Sequence, residues 1–227
     1  SHLLKMLAFL LETRVVNGIP TLDFFLPKCR EQDQSDAILE ANLKKAVAIP
    51  SKSILFNIDQ KADVISKTQI DALLSVFVKV FDEMCGYYGK QAYIAQYERE
   101  LDERGQYQAF KTAFEQLTGT AWERGREQSL LESRNIAKAY AQVTGQAEDD
   151  ALGVLDKYRA QHKVSIEDFA NQVNQWLSKQ EKNFRLNFFV DEVGQYIADN
   201  VKLMTNLQTI AESLATKCNG RAWVIVT

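Results

Sequence analysis

Two adjacent carboxylates, Asp191 and Glu192, close the run Asn183-Phe-Arg-Leu-Asn-Phe-Phe-Val-Asp-Glu192, and these are the residues best placed to do chemistry. Leu186, Phe188, Phe189 and Val190 lead into them, so the stretch reads as a strand covered on both faces that stops at two acids. In open α/β sheets the ligand crevice lies beyond the carboxyl ends of such strands. A carboxylate there can hold Mg²⁺, and its neighbour can polarise a water for attack on a phosphate. Strands ending in acids are also common as plain structure, so the elements around the pair must carry the argument.

Composition bounds the setting. The chain has 227 residues, 46% of them apolar and 25% charged, enough for a real core. A net charge of -3 speaks against holding nucleic acid by bulk electrostatics, leaving DNA as a partner that charge does not support. Three cysteines, Cys29, Cys85 and Cys218, form no close pair, which fits neither a disulfide framework nor a zinc site and suits a reducing cytoplasm. Lys5 and His2 interrupt the leading leucines, so neither a signal peptide nor a membrane span is expected. The missing initiator Met and the closing apolar run Ala222 to Thr227 suggest a piece of a longer protein.

The elements follow from periodicity. His2 to Val16 reads as a helix apolar on most faces, hence buried, with Asn17-Gly18-Ile19-Pro20 as its stop. An irregular stretch runs through Pro27; Ser35 or Asp36 caps a helix to about Val47, which Pro50 ends. Ser53 to Asp59 is a second strand. From Thr68 to Glu181 the signals are helical, split by Gly89, Gly105, Gly119 and Gly145, and Ser165 to Asp168 forms a capping box. Strand Arg185 to Val190, a helix from Val201 to Lys217 stopped by Asn219-Gly220, and strand Ala222 to Thr227 complete the pattern. Strands separated by helices predict a parallel sheet. The expected domains are an α/β core over 1–67 and 182–227 and a helical insertion lobe over 68–181.

Ser1-His-Leu-Leu-Lys-Met-Leu looks like the sequence that follows Gly-Lys in the phosphate-binding loop GxxxxGK(S/T), with Ser1 as its hydroxyl residue. Together with Ile54 to Asp59, Val190 to Ile197, Leu207 to Ile210 and Arg221 to Thr227, it resembles the large P-loop ATPase of bacterial BREX phage-exclusion systems, the BrxC/PglY family. The resemblance implies an incomplete AAA+-like P-loop NTPase sheet with Phe188 to Val190 central, ATP and Mg²⁺ as cofactors and an oligomer in a longer parent. It also implies other defence-system proteins as partners. The loop glycines and lysine are absent from this sequence, so the free polypeptide is expected to bind ATP poorly.

On that resemblance Ser1 and Asp191 would ligate Mg²⁺, Ser1 would also contact the nucleotide, Glu192 would orient the lytic water and Thr227 would sense the γ-phosphate. The plain alternatives are a strand-end cap for Asp191, a solvated acid for Glu192 and an ordinary β-branched strand end for Thr227. Asp59 is as readily an edge acid. His2 and His162 have no partners at metal-like spacing. Tyr87, Tyr88, Tyr93, Tyr97 and Tyr107 fit helix packing better than base stacking. A competing reading makes the chain a non-catalytic interaction scaffold that uses its helical insertion.

Overall fold

In the computed structural model, which describes residues 2–30, 37–61 and 72–227, the run before Asp191 is the central strand. Strand β4 (Arg185–Asp191) lies between β3 (Ser51–Asn57) and β5 (Ala222–Val226), and both pairings are parallel, as the alternation of strands and helices predicts. Leu186, Phe188, Phe189 and Val190 are fully buried because helices cover both faces of the strand. A separate two-stranded antiparallel sheet pairs β1 (Val15–Val16) with β2 (Ile19–Pro20).

The chain divides into two compact units, one of Ser1–Phe77 with Val164–Thr227 and the other of Val78–Lys163. The first contains all five strands found among the described residues. Its helix α1 (His2–Glu12) buries Leu4 and Ala8 against Phe189, with Ile225 beside them. On the opposite face Phe77 stands edge-on to Phe56 and packs on Phe188, and Phe169 joins that group. Parallel register sorts the strand residues between these faces, since alternate side chains point oppositely.

Several local expectations are corrected here. Helix α1 stops at Glu12, and its apolar surface is not all buried: Leu3 and Phe9 are exposed. Asn17-Gly18, expected only as a helix stop, forms the hairpin turn between β1 and β2. Both residues have positive φ, the requirement of a type I′ turn that Asn-Gly meets with least strain. The stretch around Pro27 is helix α2 (Thr21–Arg30), followed by α3 (Ala37–Ala48); Ser35 and Asp36 lie outside the described residues. Asp59 does not end a strand but sits in the short helix α4 (Ile58–Lys61).

The second unit begins within α5 (Ala72–Cys85). It continues through α6 (Ala92–Glu103), α7 (Tyr107–Thr118) and α8 (Trp122–Gly125), then α9 (Ser133–Thr144), α10 (Glu148–Ala151) and α11 (Val154–Gln161). Its core is aromatic: Tyr97, Phe110, Phe114 and Trp122 are fully buried, with ring centroids 5.0 Å apart for Phe110 and Trp122. Tyr97 thus serves packing, as expected of the tyrosine cluster. His162 ends α11 within 3.0 Å of the Gln96 amide oxygen, and burial holds its imidazole below the ordinary range.

This unit is narrower than the 68–181 lobe expected from helical signals. Helix α12 (Ile166–Ser178), opened by the predicted Ser165–Asp168 capping box, belongs with the sheet, where Phe169 meets Phe77 and Phe188. Helical periodicity identifies an apolar face but not the core that receives it. After β4 come α13 (Val193–Ile197) and α14 (Val201–Lys217), the latter capped by the Asn200 side chain and packed beside α12.

Candidate active site at the carboxyl rim of the sheet

Register places three polar residues in one row across the sheet. Asn57 of β3 pairs with Asp191 of β4, and Val190 pairs with Val226, which sets Thr227 beside Asp191. The Thr227 hydroxyl donates to the Asp191 carboxylate at 2.8 Å. Two backbone bonds lock this end: the Thr227 N–H donates to the Val190 carbonyl, and the Val193 N–H to the Thr227 carbonyl, at 3.1 and 2.9 Å.

The row shares the face that α1 covers. Asp191 lies two residues beyond Phe189, which packs on α1, and alternation returns its side chain to the same side. The direction of α1 follows from its contacts with β3. The Ser53 hydroxyl donates to the Ala8 carbonyl at 3.0 Å, and the Ser51 hydroxyl to the Leu11 carbonyl at 2.8 Å. The helix therefore runs antiparallel to the strands, with its start toward the rim. His2 lies about 9 Å along the axis from Ala8, and Asn57 about 13 Å along the strand from Ser53. The first turn of α1, the positive end of its dipole, ends about one strand residue short of the polar row.

Glu192 stands at the turn that leaves the sheet. Its φ of +65° lies in the left-handed region, which non-glycine residues enter at a cost. It is the residue before α13, so the chain reverses at the second acid itself. A glycine would relax this backbone, yet the position carries a carboxylate. Ser1, expected to ligand Mg²⁺ and the nucleotide, lies outside the described residues.

The donor set fits a hard cation. Mg²⁺ retains several waters and is commonly held by one or two carboxylates with substrate phosphates, and Asp191 with a neighbouring hydroxyl meets that pattern. Among the described residues no group of three or more His, Cys, Asp or Glu side chains gathers as a protein-only metal cage.

Asn57 escaped the sequence reading, because the apolar run there was carried through to Asp59 and its true end fell two residues earlier. The buried acids of the helical unit were also missed. Glu98, 0% exposed, accepts from the Trp122 indole N–H at 2.7 Å, the Arg126 guanidinium at 2.9 Å and the Tyr88 N–H at 2.6 Å. Asp82 pairs with Arg99, which stacks on Tyr87 and Phe81. Burial raises the Asp82 carboxyl to about 7 against the pull of Arg99, with the charges of Glu98 and Glu83 adding to the rise. An acid on an amphipathic helix face gives no sequence signal that it turns inward.

No protein-family model matches this chain, and no solved structure matches it. Among the described residues no helix is long and apolar enough to cross a membrane.

Proposed function

We propose that the sheet-bearing unit is part of a P-loop NTPase module, AAA+-like in strand order, whose full-length parent hydrolyses ATP in a BREX-type antiviral system. One observation carries the reading: Asp191 emerges from the central strand of a parallel sheet, bonded to Thr227 on the next strand, on the face where α1 directs its N-terminus to the rim. That is the arrangement a phosphate-handling site requires, because positioned charge dominates phosphoryl transfer.

In this reading Asp191 and Ser1 would hold Mg²⁺, which when bound would neutralise charge on the phosphates. The Thr227 hydroxyl fixes the rotamer of Asp191 through its hydrogen bond. Glu192 takes up a proton from the attacking water or orients it, and its strained backbone sets the direction of approach. The start of α1 presents backbone N–H groups to anionic oxygens.

The test is made on the full-length protein. Glu192→Gln should lower ATP turnover about 10²- to 10³-fold, while equilibrium binding of a fluorescent ATP analogue stays within about twofold, a margin well under one kcal/mol. An unchanged turnover rate removes Glu192 from the mechanism.

A second reading has its own observation. In the helical unit Leu130 and Leu131 are 70% and 83% exposed, and apolar residues shown so openly suit a protein contact. Under this reading the unit recruits other defence components. Changing both leucines to Ser in the full-length protein should weaken co-purification of those components without altering ATP turnover; undiminished co-purification discards the scaffold role.

A further inference from the structure

Away from the rim, α1, β1 and α2 enclose an open cleft of about 320 Å³. That is the lower end of the range for small-molecule sites, which are mostly apolar with a few placed polar groups. Met6, Phe9 and Leu10 line it from α1, Phe24 and Phe25 from α2, and Val16 from the hairpin. Phe9 and Phe24 remain 53% and 48% exposed, a large apolar area for an occupant to cover. Two polar residues complete the lining. Thr21 is 7% exposed, and its buried hydroxyl has no hydrogen-bond partner among the described residues. Among the described residues Lys28 brings the only charge of the lining, and no ion pair engages it.

We infer that this cleft binds a small amphipathic carboxylate, with an acyl or aryl body against the phenylalanines and its anionic head on Lys28. The charge decides the class. Among the described residues no acid lines the cleft, so a cationic or polyhydroxylated ligand would find no acceptor carboxylate there, whereas an anion gains the Lys28 ammonium. The thioether of Met6 and the rings of Phe9, Phe24 and Phe25 accommodate apolar bodies of varied shape. This site is independent of the nucleotide reading, since it shares no residue with the rim.

Titration calorimetry of the protein with hexanoate, octanoate and decanoate tests it. Each added methylene should tighten binding about fourfold until the cleft is full. Decanol, which lacks the charge, should bind more weakly than decanoate. Lys28→Met should bring decanoate down to the affinity of decanol while leaving decanol unchanged. Val16→Phe, which narrows the cleft, should weaken the longest chain most. Absence of saturable binding, no dependence on chain length, or a Lys28→Met protein that holds decanoate as tightly as the parent each overturns the proposal. The first of these is also what a cleft reserved for a partner protein's side chain would give.

Discussion

In the sheet-bearing unit the acids of interest stand at the open end of a strand, beyond Phe188, Phe189 and Val190. In the helical unit Glu98 and Asp82 lie within the core, 0% and 2% exposed. The buried pair must be matched with donors, because an unpaired charge in a low-dielectric interior is costly. Trp122, Arg126 and the Tyr88 N–H meet that need for Glu98, and Arg99 for Asp82. The rim acids carry no such obligation. Asp191 accepts from the Thr227 hydroxyl on its neighbour strand, and Glu192 sits at a strained turn. Removing a buried acid should therefore cost stability, and removing a rim acid should cost function. The contrast separates structural from functional carboxylates by setting rather than by residue type.

The strongest way to break that contrast is Glu98→Ala. It strands the Arg126 charge and the Trp122 N–H, so unfolding stability should fall by about 3–5 kcal/mol in urea titrations. Glu98→Gln, which keeps an acceptor, should lose less. A negligible change would mean that the network contributes nothing to the core.

Asp82 sharpens the same point through pH. Its folded carboxyl is raised to about 7, so between roughly pH 4 and 7 the folded chain keeps a proton that the unfolded chain has released. The stability this supplies is fullest below the unfolded value and is lost as pH rises through 7. The loss is on the order of 4 kcal/mol for a shift of this size. Asp82→Asn retains an oxygen for Arg99 and removes the titration. Urea midpoints at pH 5 and 7.5 should thus converge in the variant relative to the parent; an identical pH slope in both proteins would refute the assignment.

Packing of the helical core offers a smaller effect. A Cβ placed on Gly125 would sit 2.3 Å from the buried Phe114 ring, so Gly125→Ala should destabilise by about 1–3 kcal/mol. Thermal unfolding measures it, and no loss would show that the ring can withdraw.

Glu192→Gly gives the smallest change in stability and the clearest opposition between the regions. Glycine relieves the left-handed backbone, so the fold should gain or lose no more than about 1 kcal/mol. ATP turnover by the full-length variant should nevertheless collapse. A large loss of stability would make Glu192 structural and align the rim with the core.

Much of the fold was legible along the chain. The largely apolar run of β4 predicted a strand covered on both faces, and the Ser165–Asp168 box marked the start of α12. Elsewhere a local signal was present and misassigned. Asn17-Gly18 signalled a hairpin as well as a helix stop, and only the pairing of Val15–Val16 with Ile19–Pro20 decided between them. Pro27 suggested irregular chain, yet tertiary packing carries α2 through it with Leu26 buried.

By itself the sequence determined periodicity, element type and the adjacency of Asp191 to Glu192, because these depend on near neighbours and on alternation along the backbone. Tertiary structure alone decided that Asn57, Asp191 and Thr227 form one row, that α1 points its start at them, and that Glu98 and Asp82 turn inward. Register between distant strands and the choice of core for a helix face arise from which surfaces bury one another. No local stretch of residues carries that information.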